Sequence, residues 1–185
     1  MPTESTSPAA RAEWLPAERL GQASIAANVR TCMIGQGQLT TRLREACGSH
    51  FSHRLVALSS GVLTPELRTL LCADTAGLTR DVGLYCRETL WVYSRTIIPD
   101  STLDAHPWLA EFGDAALGDT FEAISGVTRS TFEYAWLAAE HELAAQAMAG
   151  ARIRPAGLWA RRCRFALHQA PLLVQELFFP VIGQT

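Results

Sequence analysis

Two charged side chains in apolar strand-like segments are the features of this sequence best suited to chemistry. Residues 171–180, PLLVQELFFP, are apolar or proline at eight of ten positions, with Glu176 in the middle. Side chains alternate between the two faces of a strand, so Glu176 shares its face with apolar neighbours, and the other face is mostly apolar too. Arg80, in TRDVGLYC, has the same kind of surroundings. Such groups must be paired or hydrogen-bonded when buried, because burying an isolated charge is costly.

This pattern allows two interpretations. In the first, Arg80 and Glu176 form a structural ion pair, or one of them lies at a frayed sheet edge. In the second, both line a small closed pocket, where the arginine binds a ligand carboxylate and the glutamate contacts a hydroxyl at the far end. Strand alternation alone is compatible with either.

Composition limits the class of protein. The 185 residues suit one domain with a core, and 48% hydrophobic with 18% charged residues is ordinary for a soluble globular chain. A net charge of −2 provides no positive electrostatic potential that would attract nucleic acid or an anionic membrane. The N-terminus lacks the apolar run of a signal peptide, and no stretch is long enough to span a bilayer. These features predict a cytoplasmic protein without nucleic-acid or membrane partners.

The basic and sulfur-containing residues exclude further chemistry. All sixteen basic residues are arginine, so Schiff-base formation and a P-loop lysine are impossible. The five cysteines are odd in number, widely spaced and never in C-x-x-C form, which predicts core packing in a reducing compartment rather than a disulfide framework or a zinc site. The five histidines show no metal-ligand spacing. We therefore predict no metal.

The elements that must position Arg80 and Glu176 form an α+β pattern. We predict a flexible arm over residues 1–16 and one folded domain over 17–185, built on an antiparallel sheet of about six strands with helices on one side. The predicted strands are 51–60, 78–86, 90–99, 126–136, 161–167 and 172–179, the last two joined by a turn at 168–171. The predicted helices are 17–47, broken at 35–38, then 64–71, 107–113 and 137–150.

The C-terminal run GLWARRCRFALHQAPLLVQELFFP closely resembles the end of bacterial chorismate lyases. Their pattern there is a G-L-W-x-R-R strand, a short turn and L-L-x-x-E-x-F-x-P. Further matches follow in the family's order: GQLTTRL, TRDVGLY, WVYSRTIIP, STL, LGDTF and TRSTFE. The resemblance covers about residues 30–180, with a segment near 137–156 that resembles an insertion relative to shorter members.

The resemblance implies an antiparallel sheet with helices, near 30–47 and 101–117, that close over an internal site. It implies conversion of chorismate to 4-hydroxybenzoate and pyruvate without a cofactor, as the first committed step of ubiquinone synthesis. We predict that the protein is a monomer. By resemblance, Arg80 binds the ring carboxylate, Glu176 lies next to the ring hydroxyl, and Leu117 and Leu39 contribute backbone contacts. A buried carboxylate usually costs stability, so Glu176→Gln is expected to keep or slightly raise stability while turnover falls.

Two alternatives are also compatible with the sequence: a non-catalytic sensor like the effector-binding domains of winged-helix repressors, and a lyase recruited to a specialised pathway. Other side chains have open roles as well. Arg161 and Arg162 point to opposite strand faces, so at most one enters the pocket, either to meet the enolpyruvyl carboxylate or as a structural group. Arg129 and Glu133 share a predicted face and could pair. The tryptophans expected nearest the site are Trp91 and Trp159.

Overall fold

An antiparallel sheet organises the molecule. The computed structural model describes residues 12–35, 37–73, 75–113, 117, 120–121 and 124–184. These residues form eight strands: β1 (Leu15–Pro16), β2 (Phe51–Val62), β3 (Ala76–Cys86), β4 (Thr89–Pro99), β5 (Val127–Arg129), β6 (Glu133–Ala138), β7 (Gly157–Leu167) and β8 (Ala170–Phe178). Their order is β1-β6-β7-β8-β4-β3-β2, with β5 also pairing β7. The predicted α+β fold with an antiparallel sheet is confirmed, with eight strands instead of about six.

The extra strands have two sources. The predicted strand over 126–136 is interrupted at 130–132 and becomes β5 and β6, which both pair with β7. The short strand β1 lies at the end of the predicted N-terminal arm, where Leu15 pairs with Tyr134 of β6. Residues 1–11 of that predicted arm lie outside the described residues.

Tight hairpins set the registers of the strands that carry Arg80 and Glu176. Between β7 and β8 the turn consists of His168 and Gln169, whose φ angles of 47° and 77° are both positive. Two positive φ values in a two-residue turn match the right-handed twist of the flanking strands. The predicted four-residue turn is therefore too long by two residues. As a result, Leu167 faces Ala170 directly, which fixes every cross-strand pair of this hairpin.

Two helices cover one face of the sheet. Helices α1 (Ala27–Ile34) and α2 (Leu39–Cys47) are separated at the predicted break. A side chain on Gly35 would lie 2.6 Å from the carbonyl oxygen of Thr31, so the chain turns where only glycine fits. Arg42 donates hydrogen bonds to the carbonyl oxygens of Cys32 and Gly37, both at 2.8 Å, and so fastens α2 to the turn before it. The N-cap of α2 is Gln38.

The same face is also covered by α4 (Asp100–Ala105) and a 3-10 helix over Pro107–Glu111, where an α-helix to 113 was predicted. Hydrophobic residues of this region pack on the sheet: Leu109, Leu117 and Phe121 meet Leu78, Ile98, Leu167 and Leu172. None of the described helices is long and apolar enough to cross a membrane.

The opposite face of the sheet carries α3 (Pro65–Leu71) and α5 (Glu142–Ala149). The prediction of helices on one side only is therefore wrong, because both faces of the sheet are apolar and both are covered. Helix α3 begins as predicted, with the Thr64 hydroxyl accepting a hydrogen bond from the Leu67 amide at 3.3 Å. Helix α5 buries four apolar residues against the sheet: Leu143, Ala144, Ala147 and Met148. Its partners include Leu158 and Leu177, whose side chains point away from the face of Glu176. The segment near 137–156 therefore begins as the end of β6 and places its helix on the face of the sheet opposite the side chain of Glu176.

Ion pairs on this opposite face are structural. Asp81 is buried and accepts two hydrogen bonds of 2.7 Å from Arg95. Glu133 accepts a 2.8 Å hydrogen bond from Arg162, whose guanidinium also lies 4.4 Å from the ring centroid of Trp14. The predicted pairing of Glu133 with Arg129 is therefore wrong. The break at 130–132 interrupts strand alternation, so the two residues do not share a face.

A disulfide joins Cys47, the last residue of α2, to Cys86, the last residue of β3. The expectation that the cysteines serve only as core packing is wrong for this pair. Cys32, Cys72 and Cys163 carry free thiols. The bond ties the end of a covering helix to the strand that holds Arg80.

Breaking this disulfide should destabilise the protein. Its partners are 39 residues apart, and closing a loop of that length stabilises a fold by about 3–4 kcal/mol through the entropy of the unfolded chain. We expect the Cys47→Ala/Cys86→Ala variant to unfold at lower denaturant concentration by that free energy. Cys72→Ala removes an exposed free thiol and is the matched control. Overlapping unfolding curves for wild type with and without reductant would contradict the bond.

Candidate active site

A cavity of about 440 Å³ lies between the sheet and the elements that cover it. Its floor comes from one face of β3, β4, β8 and β7, and its cover includes residues 37–40 at the start of α2. About half of the wall surface is apolar. The lining side chains that carry charge are Arg80, Arg129, Arg161 and Glu176. Glu176 is the only acidic residue among the described lining residues.

All four residues predicted to form the site line this one cavity: Arg80, Glu176, Leu39 and Leu117. The sheet register explains why the first two meet there. Arg80 pairs with Thr96 of β4, and Glu176 pairs with Ser94 two residues away on the same strand. The four side chains therefore share a face. Neither Trp91 nor Trp159 lines the cavity; the aromatic walls are Phe121, Phe132 and Phe165.

Arg80 is held at one end of the cavity. Only 4% of it is exposed, and its Nε donates a 2.9 Å hydrogen bond to the carbonyl oxygen of Gly113. The guanidinium lies 5.5 Å from the ring centroid of Phe112, at a cation–π distance. These contacts come from the covering segment that leads towards Leu117. They fix the orientation of a planar donor group suited to binding a carboxylate at two points.

Glu176 forms an ion pair with Arg161 and not with Arg80, the partner that the sequence suggested. Its carboxylate accepts a 2.5 Å hydrogen bond from Arg161 Nε. Arg161 is 4% exposed, and its Nη1 donates to the carbonyl oxygen of Met33 in α1 at 2.8 Å. The guanidinium also lies 4.3 Å from the Phe132 ring centroid. Arg161 thus supplies the charge that a carboxylate in an apolar wall requires and connects it to the covering helix.

The expectation that at most one of the two adjacent arginines enters the pocket is confirmed, and the one that enters is Arg161. A structural ion pair does involve Glu176, as the first interpretation held, but its partner is Arg161 rather than Arg80. The carboxylate remains a wall residue of the cavity. Glu176 therefore belongs to a structural ion pair and to the cavity wall at the same time.

Arg80 and Glu176 are spaced for a ligand between them. They lie on strands separated by β4 and are offset by two residues, which places their Cα atoms about 12 Å apart for ordinary strand spacing and rise. Both side chains rise from the floor into the cavity. A ring with substituents at opposite ends, and one hydrogen bond of about 3 Å at each end, spans such a gap.

Cys163 is the one thiol on the described cavity wall, and its environment suppresses nucleophilic chemistry. Burial, together with the nearby negative charge of Glu176, raises the pKa of this thiol to about 12. The thiol therefore stays protonated near neutral pH, and only the thiolate is a strong nucleophile. Within the described ranges, no three histidine, cysteine, aspartate or glutamate side chains converge to hold a metal ion.

Comparison with known proteins identifies the family. The sequence profile described as chorismate lyase matches residues 9–184. The chain belongs to the chorismate lyase family. It is 34% identical over 173 residues to the probable chorismate pyruvate-lyase of Nitrosospira multiformis, covering 92% of this chain and 94% of that protein. It is 30% identical to the Coxiella burnetii protein of the same description, covering 91% and 92%. Family membership makes the chain an enzyme of the lyase class.

Solved structures with a similar fold include ligand-binding domains of transcriptional regulators. The effector domain of PhnF from Mycobacterium smegmatis matches this chorismate lyase family member with a TM-score of 0.53 and 17% identity, covering 78% of this chain and 89% of that one. The C-terminal domain of the histidine utilization repressor from Pseudomonas syringae matches with a TM-score of 0.55 and 10% identity, covering 73% and 95%. At such low sequence identity, these similarities show a shared fold and nothing about function.

Proposed function

We propose that this protein is a chorismate lyase that converts chorismate to 4-hydroxybenzoate and pyruvate. The observation that carries the proposal is the placement of Arg80 and Glu176 towards opposite ends of one cavity, in a member of the chorismate lyase family. The ring of chorismate bears a carboxylate and, opposite to it, a hydroxyl. An arginine and a carboxylate are the side chains that recognise these two groups.

The residues have distinct roles in the proposed elimination. Arg80 binds the ring carboxylate, while the backbone at Leu117 and Leu39 contacts the ligand from the cover. Glu176 accepts a hydrogen bond from the 4-hydroxyl, and Arg161 keeps that carboxylate in place. Elimination breaks the C3–O ether bond and removes the hydrogen at C4, so the ring becomes aromatic and the released enolpyruvate gains a proton to become pyruvate.

Aromatisation makes the elimination strongly favourable, so the protein mainly has to hold the enolpyruvyl arm in a reactive geometry and exclude water. The phenylalanine walls supply the dry environment. Glu176 is also the only described acidic group on the wall that could accept the C4 proton. The pKa of Cys163, raised to about 12 mainly by burial, argues against a covalent route through that thiol.

Incubation of the purified protein with chorismate tests the activity directly. Pyruvate measured with lactate dehydrogenase, and 4-hydroxybenzoate measured by chromatography, should appear in equal amounts. The second candidate, a sensor that binds aromatic acids without turnover, is favoured by the likeness to regulator effector domains. Tight binding of 4-hydroxybenzoate with no pyruvate release would support the sensor. Turnover only of a substituted chorismate would support a lyase of a specialised pathway.

Product inhibition should be pronounced. The walls that fit the reacting ring also fit the flat aromatic product, and covering segments that include α1 and α2 must open before the product leaves. We expect progress curves to slow as product accumulates and to slow further when 4-hydroxybenzoate is added at the start. Benzoate, which lacks the hydroxyl that Glu176 contacts, is the matched comparison and should inhibit less. Progress curves unaffected by millimolar 4-hydroxybenzoate would contradict a closed product site.

The cellular setting is proposed from the family resemblance. We propose a cytoplasmic monomer whose product enters ubiquinone synthesis. Light scattering should give a mass near 20.2 kDa. Cells that lack the protein should lose ubiquinone and recover it when 4-hydroxybenzoate is supplied. Alkylation of thiols in freshly lysed cells would show whether Cys47 and Cys86 are bonded there, as they are in the structure.

A further inference from the structure

A third arginine, besides Arg80 and Arg161, lines the cavity and has no role in the site described so far. Arg129 is the last residue of β5, and it is exposed on the cavity wall. Its guanidinium lies 4.5 Å from the ring centroid of Phe132, another lining residue. Among the described residues, none forms a hydrogen bond or ion pair with this side chain, since Glu133 is bound to Arg162 instead. Its donor groups are therefore available to a ligand.

The position of Arg129 in the sheet directs it towards the site. In the β5–β7 register it pairs with Phe165, which is itself on the cavity wall, and Cys163 lies two residues further along β7. The electrostatic effect of Arg129 extends to that thiol. Burial and Glu176 raise the pKa of Cys163, while Arg161 and Arg129 oppose that rise. The guanidinium of Arg129 is therefore close enough to the cavity wall to influence charged groups there.

The other two arginines on the cavity wall, Arg161 and Arg80, already have binding partners or an assigned ligand group. Arg161 already binds the Glu176 carboxylate and the carbonyl oxygen of Met33, so a second anion there would compete with Glu176. Arg80 lies at the end assigned to the ring carboxylate. Chorismate, however, carries two carboxylates, and its second one is on the enolpyruvyl arm, which leaves the ring between the two ends. The product 4-hydroxybenzoate keeps only the ring carboxylate.

We propose that Arg129 binds the carboxylate of the enolpyruvyl group and so determines specificity for the enolpyruvyl substrate over the aromatic product. The inference rests on the proposed function and deepens it. An exposed guanidinium stacked on Phe132 offers two parallel N–H donors to a carboxylate, a geometry that lysine cannot reproduce. Arg129 also contacts the group that is lost in the reaction, so its contribution disappears when the product forms.

The test compares substrate and product in the same variant. Arg129→Gln should raise the KM for chorismate about 10- to 100-fold, the range for losing a hydrogen-bonded charge. The Kd for 4-hydroxybenzoate, measured by calorimetry, should stay within about twofold of wild type, since Arg129 does not contact the ring carboxylate. Arg129→Lys keeps the positive charge but lacks the paired N–H donors, so its KM for chorismate should lie between those of wild type and Arg129→Gln. Arg54→Gln is the control: it removes an exposed arginine 4.7 Å from the Tyr85 ring centroid, outside the cavity lining.

The possible outcomes separate this inference from the proposed function. An unchanged KM in Arg129→Gln, or equal weakening of chorismate and 4-hydroxybenzoate, would overturn the role of Arg129 while wild-type turnover stands. A fall in kcat alone would overturn it too. If wild-type protein releases no pyruvate, the proposed function itself fails, whatever the variant does.

Discussion

Arg80→Ala should nearly abolish turnover at ordinary chorismate concentrations by removing the anchor for the ring carboxylate. Losing a buried, charge-assisted carboxylate contact costs about 2–5 kcal/mol, which corresponds to a decrease of roughly 30- to 4,000-fold in kcat/KM. The chain contains no lysine that could substitute. The guanidinium is also held in place by contacts with Gly113 and Phe112.

The measurement that distinguishes this role is product binding. Because 4-hydroxybenzoate keeps the ring carboxylate, its Kd should rise in Arg80→Ala by a factor similar to the loss in kcat/KM. This is the opposite of the pattern expected for Arg129→Gln. Circular dichroism should confirm that the variant is folded, and Arg54→Ala should leave both quantities unchanged. An unaltered affinity for 4-hydroxybenzoate in folded Arg80→Ala would show that the ring carboxylate binds elsewhere.

Strand alternation in the sequence identified Arg80 and Glu176 as charges on apolar strand faces, although it left open whether the two side chains meet. It worked because β3 and β8 are long, central strands whose apolar residues leave no wet side. The α+β class and the break between α1 and α2 were predictable for similar reasons, since the glycines at 35–37 interrupt the helical pattern. These features depend on local residue types and are insensitive to distant contacts.

The four-residue turn predicted at 168–171 cannot give the partner of Glu176. With a four-residue turn at 168–171, Glu176 would face Cys163. With the observed two-residue turn of His168 and Gln169, it faces Arg161. The sequence indicates this two-residue turn only weakly, because neither His168 nor Gln169 is a glycine, the residue that usually marks a turn with positive φ. This two-residue change of pairing partner keeps Glu176 on the same face of the sheet but replaces a thiol partner with a guanidinium.

The role of Arg129 was missed for a related reason. Treating 126–136 as one strand places Arg129 and Glu133 on the same face, where they satisfy each other. The break at 130–132 turns Arg129 towards the cavity and Glu133 towards Arg162. The disulfide was missed because its cysteines are 39 residues apart and meet only through the packing of α2 on β3. Nothing in their local sequence marks them as a pair.

The ion pair with Arg161 reverses the stability expected for Glu176→Gln. From the sequence, removing a buried carboxylate was expected to leave stability unchanged or slightly higher. In the structure, that substitution leaves the guanidinium of Arg161, which is 4% exposed, without its counter-charge. The glutamine oxygen can still accept a hydrogen bond, so the cost should be about 2 kcal/mol, or a decrease of roughly 4–8 °C in melting temperature. The kcat should fall about 100-fold or more, because the group that addresses the 4-hydroxyl loses its charge.

A double variant separates the structural contribution of Glu176 from its catalytic one. Arg161→Met removes the uncompensated charge and keeps an apolar stem beside Phe132, so Arg161→Met/Glu176→Gln should regain most of the stability lost in Glu176→Gln. Its turnover should remain as low as that of the single variant, since no carboxylate faces the hydroxyl. Arg161→Met alone should be the least stable of the three, because it leaves the Glu176 carboxylate in the wall without a partner. If Glu176→Gln melts at or above wild type, Arg161 does not depend on that charge; if it turns over chorismate normally, Glu176 has no part in the reaction.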